Sequence, residues 1–298
     1  MLKKWLYSLR HIRPMLQNKY FIKNLTILIG SILLLFFASS YMVSSNSRKI
    51  LENELLASDR NYIEIVNNSV DSVLKDMRYI AATLNIDNMV NTFFLSEQPE
   101  DMISDFYIRL QEKLNGYANS YPCIHSIYLY SGITDTIITA SGKFSVSTFM
   151  DLNWMEHFTA EPEPYIIFSR TGEKIYPNFL CIMKQIKMED YNAAIVINIQ
   201  LKDIAILSET QQRYSDVYII NDDSRVIYHA NQRYLFEPLT ISDKLKHFSV
   251  DINETSLIST VDGDSYAYTQ LHSPEYDFSY VLVTHLANYS EELSNRLK

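Results

Sequence analysis

Hydrophobic and polar residues follow three different patterns along the chain. The first is a run of nineteen uncharged, mainly apolar residues from Leu25 to Val43. A helix rises about 1.5 Å per residue, so this run can cross a bilayer core about 30 Å thick. We therefore predict a transmembrane helix over residues 25–43. A cleaved signal peptide is the alternative, although its apolar core usually spans only about 7–15 residues.

The second pattern is helical. Residues 44–85 contain neither Gly nor Pro, and their apolar positions recur at alternating spacings of three and four, which places them on one face of a helix. These positions are Ile63, Val66, Val70, Val73, Met77, Ile80 and Leu84. We predict a long stalk helix over residues 44–85 that packs on its own domain, and a homodimer that pairs through the same helix. A further helical pattern runs from Met102 to Tyr117.

The third pattern consists of β-branched and aromatic runs, which predict strands from residue 124 onwards. The first runs cover residues 124–130, 136–140, 165–170, 178–187 and 193–200. A short helix is expected over 201–209, and further strands over 216–222, 225–230, 256–261, 265–271 and 278–285. We predict an α+β fold with two mixed α/β lobes, a first lobe over residues 86–208 and a second lobe over residues 209–286. Residues 287–298 are expected to form a polar C-terminal helix.

A weak internal repeat supports two similar lobes. Residues 127–141 align with residues 217–231 in one register, and both segments are predicted as a strand, a polar turn and a second strand. In this alignment Ile137 matches Ile227, and Ala140 matches Ala230. Repetition of one supersecondary unit predicts two lobes of related topology.

Charge is distributed unevenly along the chain. Residues 1–51 contain no Asp or Glu, and the basic tail over residues 1–24 carries six Lys or Arg. This bias before a transmembrane helix indicates a cytoplasmic N-terminus and an extracytoplasmic main domain at the cell membrane. After residue 43 the chain has all 35 acids but only 20 of its 26 Lys and Arg, a formal charge of −15. That charge argues against a nucleic-acid partner, because phosphates repel it.

The sequence offers little catalytic or metal-binding chemistry. It lacks the motifs of serine hydrolases, zinc peptidases and phosphate-binding loops, so we predict no catalytic residue, no metal site and no cofactor. Cys123 and His125 lie two residues apart on a predicted strand and could form half of a metal site, but no second ligand pair accompanies them. Cys123 and Cys181 either form a disulfide in an oxidising exterior or remain reduced in the core.

The order of these elements resembles a known family. A membrane anchor, a long helix, a mixed sheet and a second, smaller sheet are similar to the double Cache domain, the PAS-like extracytoplasmic sensor of bacterial histidine kinases, chemoreceptors and membrane-bound AraC-type regulators. The segment VYIINDDSRVIYHAN at 217–231 resembles the membrane-proximal hairpin of that family, with Ser224 where the family usually has Gly. Residues 151–154, DLNW, resemble a loop of the membrane-distal lobe that carries a Trp near the ligand. The resemblance implies that both lobes are PAS-like and that the first lobe is membrane-distal.

The resemblance also indicates where a ligand would bind. The expected ligand-binding residues are Asp151, Trp154, Tyr165 and Arg170, in or after the loop over residues 151–157. An aromatic face with a few polar partners suits a small polar organic ligand, such as a sugar.

A departure from the family bears on the ligand. Members that bind amino acids carry Arg and Tyr where this chain has Leu152 and Met155. A carboxylate ligand favours a bidentate contact with Arg, so we do not expect this chain to bind free amino acids.

The implied function is the extracytoplasmic small-molecule sensor module of a transmembrane signalling receptor of the two-component histidine kinase type. Such receptors continue into a second membrane helix and an output domain, so we expect the chain to be a fragment or a remnant of a longer receptor. Two alternatives remain at this point. One is a membrane-anchored enzyme acting on cell-wall or polysaccharide sugars, and the other is an anchored interaction protein.

Overall fold

The computed structural model describes residues 19–96, 104–161, 163–170, 179–188, 191–204, 207, 215–238, 256–287 and 289. Predictions for the tail before residue 19, for part of the 201–209 helix and for residues 290–298 fall outside this range. The chain divides into two compact units, Met1–Ala57 and Ser58–Lys298.

Helix α1, Lys19–Ile86, is one continuous element that contains the residues predicted as the transmembrane helix and as the stalk helix. In the first unit, the apolar side chains between residues 25 and 43 are exposed, an arrangement that suits lipid better than water. Within the described part of the chain, α1 is the one helix that is long and apolar enough to cross a membrane.

In the second unit, α1 buries the apolar face that its sequence predicts. Six of the seven predicted positions are at most 2% exposed, and the seventh, Val73, is partly buried against the same cluster. Two shorter helices follow, α2 at Asn88–Leu95 and α3 at Ser104–Ser120. Asp87 caps α2 by accepting hydrogen bonds from the backbone N–H groups of Met89 at 2.9 Å and Val90 at 3.2 Å.

The first lobe contains a six-stranded antiparallel sheet. Its strands are β1 Ile124–Ser131, β2 Thr136–Thr139, β3 Gly142–Ser145, β4 Ile166–Arg170, β5 Phe179–Lys187 and β6 Asn192–Ile199. The order across the sheet is β3-β2-β1-β6-β5-β4. The sequence pattern did not predict β3, because this strand is short and its residues are exposed or half-buried.

The second lobe contains a five-stranded antiparallel sheet. Its strands are β7 Ser215–Ile220, β8 Val226–Tyr228, β9 Ser256–Val261, β10 Asp264–His272 and β11 Ser279–His285, in the order β8-β7-β11-β10-β9. Without β3, the first sheet has the same order of corresponding strands. Leu129 pairs with Ile138 in the first hairpin, and Ile219 pairs with Tyr228 in the second, at positions that the internal repeat aligns. The α+β fold with two related lobes is therefore confirmed.

Both faces of each sheet are largely buried. One face of each sheet joins α1, α2 and α3 in a shared hydrophobic cluster, to which Ile127 of β1 and Ile219 of β7 belong. Since side chains alternate across a strand, the intervening residues form separate clusters on the opposite faces. Tyr128 and Val196 lie in the first of these clusters, and Tyr218 lies in the second. This burial explains why the strands are near-continuous apolar runs.

Candidate ligand-binding site

The loop before β4 presents Trp154 to the sheet face opposite the helices. Trp154 lies in a 3₁₀ helix, Asn153–His157, and its indole Nε1 donates a hydrogen bond to the Asp151 carbonyl oxygen at 2.9 Å. The ring is 0% exposed and contacts the rings of Tyr130 and Phe158 at centroid distances of 5.7 and 5.8 Å. The structure thus places the whole ring in the core of the first lobe.

Asp151 and Arg170 form a buried ion pair beside Trp154. Arg170 is the last residue of β4, and its two terminal nitrogens donate to the two carboxylate oxygens of Asp151. The Nη2–Oδ2 distance is 2.7 Å. The Tyr128 hydroxyl donates to the same Oδ2 atom at 2.7 Å. Asp151 is 0% exposed and Arg170 is 6% exposed, so this bidentate pair is shielded from water.

Neighbouring strands complete the polar cluster around Arg170. Arg170 Nη2 donates to Asn198 Oδ1 at 3.0 Å, and Arg170 Nε lies 3.1 Å from Cys181 Sγ. Asn198 Nδ2 in turn donates to Ser126 Oγ at 2.9 Å. Ser126, Asn198 and Cys181 lie side by side on β1, β6 and β5, because Asn198 pairs with both others in the sheet register. None of these three residues was predicted to bind a ligand, although Asn198 stands out as a polar residue within an apolar strand.

Burial and charge determine the protonation of the cluster. Burial acts to lower the pKa of Arg170, but the hydrogen bond to Asp151 outweighs it and raises that pKa above its usual value. Burial raises the pKa of the Tyr128 hydroxyl, and the Asp151 carboxylate raises it further. Burial also raises the pKa of the Cys181 thiol to about 12. The thiol is therefore protonated at neutral pH and is a poor nucleophile.

Tyr165 lies apart from this cluster. Its ring is contacted by two cationic side chains, with Arg78 at 5.3 Å and Lys184 at 4.8 Å from the ring centroid. Tyr165 lines a groove of about 600 Å³ between the two lobes. Of the four expected ligand-binding residues, the structure thus brings Asp151, Trp154 and Arg170 together. The fourth, Tyr165, lies in the groove between the lobes.

The two cysteines are both free and buried. Cys123 belongs to the cluster beside the helices, whereas Cys181 points to Arg170 on the other side of the sheet. Of the two alternatives, the structure therefore has the reduced form. The ring of His125, near Cys123 in sequence, packs on Phe179 at 4.8 Å, and the described residues include no group of three or more His, Cys, Asp or Glu that could hold a metal ion.

Comparison with known proteins identifies the architecture. No protein-family model and no curated protein sequence matches the chain, but many solved structures match its fold. The ligand-binding domain of the Pseudomonas aeruginosa amino-acid chemoreceptor PctB, in complex with L-Arg, matches with a TM-score of 0.57 and 12% identity over 79% of this chain and 89% of that one. The chain therefore shares the fold of this ligand-binding domain, in agreement with its resemblance to the double Cache domain.

Two further double Cache-like structures show the breadth of this likeness. The ligand-binding domain of the Pseudomonas fluorescens chemoreceptor CtaA, in complex with L-serine, matches with a TM-score of 0.54 and 12% identity over 80% of this chain and 99% of that one. The extracellular domain of vpHK1S-Z8, described as a candidate histidine kinase, matches with a TM-score of 0.54 and 11% identity over 80% of this chain and 98% of that one. At such low identities the likeness shows the fold, and function must be argued from the site.

Proposed function

We propose that this double Cache chain is the extracytoplasmic small-molecule sensor module of a transmembrane signalling receptor of the histidine kinase type. The observation that carries the proposal is the shared fold with ligand-binding domains of chemoreceptors, over about four-fifths of the chain, together with a helix able to cross a membrane. The basic tail before that helix supports an orientation with the N-terminus in the cytoplasm. Nothing in the cluster around Arg170 favours the anchored-enzyme alternative.

The proposed recognition residues are Asp151 and Arg170, beside the buried ring of Trp154. Asp151 and Arg170 satisfy each other, so a ligand has to exchange with hydrogen bonds that already exist. A neutral, hydroxyl-rich ligand such as a sugar suits this exchange, because its hydroxyls both donate to a carboxylate and accept from a guanidinium. Such a ligand avoids leaving either buried charge without a partner, which would be costly.

Free amino acids are a poorer fit for this site. Leu152 and Met155 stand where amino-acid-binding members of the family have Arg and Tyr, and both side chains pack against the aromatic cluster around Trp154. Neither side chain can bind a ligand carboxylate as an Arg would. The amino acids named for the solved chemoreceptor domains are therefore not proposed as ligands here.

A homodimer through α1 is the proposed form of the receptor. Ile65, Tyr79 and Ile86 are exposed on the second-unit part of α1 and are separated by multiples of seven residues. Heptad spacing of exposed apolar residues is typical of a helix that pairs with another helix. A second copy of the chain would cover these side chains.

A ligand screen on the full chain in nanodiscs tests this proposal. Thermal unfolding is measured with a panel of monosaccharides and with the twenty amino acids, because a ligand that binds only the folded state raises the melting temperature. We expect stabilisation by a polar, hydroxyl-rich compound, and loss of that stabilisation in Asp151→Asn. Stabilisation by several free amino acids, or by no compound in either panel, would contradict the proposed ligand class.

A further inference from the structure

The groove between the lobes has walls from three parts of the second unit. The first lobe contributes residues 163–169, the second lobe contributes residues 221–223 and 275–278, and α1 contributes Arg78. Its volume of about 600 Å³ falls in the range of small-molecule sites, roughly 300–1,000 Å³. This groove is distinct from the buried cluster of Asp151, Trp154 and Arg170, none of which lines it.

The charge of the groove is strongly negative. Five carboxylates line it, those of Glu163, Asp222, Asp223, Glu275 and Asp277, against one guanidinium, that of Arg78. The other titratable base in the wall is His157, and burial lowers the pKa of its ring, so it adds no positive charge at neutral pH. A cleft lined by charges of one sign concentrates ions of the opposite sign. The groove therefore attracts cations.

Aromatic rings make the same groove suitable for an organic cation. Tyr165, Phe168, Tyr276 and Phe278 line it, and the Tyr165 ring already lies under two cationic side chains of the protein itself. Cations are attracted to the faces of such rings. The wall thus combines carboxylates with surfaces that stabilise ammonium groups and alkyl chains.

Tyr276 places a buried hydroxyl at the wall of the groove. Its side chain lines the groove, only 8% of the residue is exposed, and its buried hydroxyl oxygen makes no hydrogen bond of normal geometry with any described group. Arg78 is close enough to act on the pKa of this hydroxyl, which burial raises. This hydroxyl is closed to solvent and adjoins Arg78, so displacing Arg78 from the groove would change its surroundings.

A metal ion does not fit this arrangement. The carboxylates are spread over three segments of the wall, and within the described residues no three His, Cys, Asp or Glu side chains gather closely enough to hold one ion. A ligand with several ammonium groups joined by alkyl chains can reach carboxylates that lie apart. We propose that the groove between the lobes is a second ligand site that binds an organic polycation of the diamine or polyamine class. This site is independent of the ligand proposed for the Asp151 cluster.

Binding in this groove would act on α1 through Arg78. Arg78 pairs with Glu275 of the second lobe at 3.2 Å and lies over Tyr165 of the first lobe. A polycation competes for the same two partners, so its binding releases Arg78 from both lobes. Arg78→Gln removes the competing cation and is therefore expected to strengthen polycation binding by a few-fold.

Isothermal titration calorimetry with spermidine tests the site. The full chain is placed in nanodiscs of phosphatidylcholine, whose zwitterionic headgroups give spermidine no anionic lipid to bind. We expect saturable binding of one spermidine per chain that weakens at high salt, because salt screens exposed charges. Removing two groove charges with D222N/D223N should weaken binding about tenfold. Asn retains the side-chain oxygen with which Asp222 accepts the N–H of Asp223.

A matched control variant distinguishes binding in the groove from general attraction of spermidine to an acidic chain. D262N/D264N also removes two exposed charges from a hairpin turn of the second lobe, but outside the groove, and should change affinity less than about twofold. Equal weakening by both double variants, weaker binding by Arg78→Gln, or no saturable heat at about 10 mM spermidine would overturn the proposal.

Discussion

The Arg170 guanidinium and the Asp151 carboxylate face each other in a bidentate pair that the first lobe shields from water. Bringing two charges out of water is costly, and the attraction between them repays this cost only with good geometry and further hydrogen bonds. Tyr128 and Asn198 supply such bonds, one to each partner. The pair therefore fixes the end of β4 against the loop that carries Trp154.

Breaking this ion pair should destabilise the protein strongly. Arg170→Met leaves the Asp151 carboxylate buried without its counter-charge, which is expected to cost about 3–5 kcal/mol. Urea unfolding of the full chain in detergent, followed by circular dichroism, measures the loss. Combining Arg170→Met with Asp151→Asn removes both charges, and the double variant should be more stable than Arg170→Met alone. A double variant that is less stable than either single variant would show that the two charges are not coupled as described.

Trp154→Ala should cost about 3–5 kcal/mol of unfolding free energy, because the ring is fully buried and its removal leaves a cavity. Met150→Ala is the control in the same loop, since Met150 is 51% exposed and its truncation should change stability by less than about 0.5 kcal/mol. Urea unfolding of both variants is the measurement. A small loss for Trp154→Ala would mean that the ring faces an open pocket instead of the core.

Tyr128→Phe isolates a single hydrogen bond to the buried carboxylate. The Tyr128 hydroxyl donates to Asp151 at 2.7 Å in the interior, so its removal should cost about 2 kcal/mol, as for other hydrogen bonds to charged groups. Tyr130→Phe removes a hydroxyl that donates to Asp135 at the surface at 3.1 Å and should cost less than about 0.5 kcal/mol. Chemical unfolding of the two Phe variants side by side tests the difference, and equal losses would speak against a special role of the buried bond.

Stability should depend on pH through Asp71, on the face of α1 toward the second lobe. Asp71 accepts hydrogen bonds from Ser273 at 3.0 Å and from Tyr280 at 3.4 Å, and burial, with the charge of Glu275, raises its pKa. The folded protein therefore holds this proton at a higher pH than the unfolded chain does. As pH rises above the ordinary Asp pKa of about 4, wild type should lose stability relative to Asp71→Asn, until the raised pKa is passed. Unfolding curves of both proteins between acid and neutral pH measure this change.

Asp87 should show the opposite sign. Burial acts to raise the pKa of Asp87, but the hydrogen bond and charge of Lys113 and the two capped backbone N–H groups outweigh it and hold the pKa below its usual value. Its stabilising effect is therefore present above the ordinary Asp pKa and is lost as pH falls toward the lowered one. Relative to Asp87→Asn, wild type should lose stability on acidification. The stability difference between wild type and each Asn variant should change with pH in opposite directions for Asp71 and Asp87. A change in the same direction for both would refute the opposite pKa shifts described here.

The orientation of the chain in the membrane is the final prediction. Because positive charge precedes the apolar run and no acid occurs before residue 52, the second unit should lie outside the cytoplasm. An alkaline phosphatase fused after Lys298 should be active, since this reporter folds only in an oxidising exterior, whereas the same reporter fused before Met1 should be inactive. The reverse pattern of activity would invert the topology.

Features that depend on local periodicity could be predicted from the sequence alone. The absence of Gly and Pro between residues 44 and 85, with apolar residues every three or four positions, was enough to specify the helical face that α1 buries. The β-branched and aromatic runs located every strand of the described residues except β3. The internal repeat, in which Leu129 aligns with Ile219 ninety residues later, was detectable because each lobe contains a corresponding hairpin.

Which of these residues come into contact depends on the order and packing of distant strands. Arg170 reaches Asp151, Asn198 and Cys181 because β4, β5 and β6 are neighbours in the sheet, and this strand order leaves no periodic trace in the sequence. Tyr165 lies only five residues before Arg170, yet it faces the groove between the lobes. Side chains on a strand and in the loop before it point in different directions, so closeness in sequence does not give closeness in space. The burial of Trp154 was decided in the same way, by the packing of a whole loop onto a sheet face.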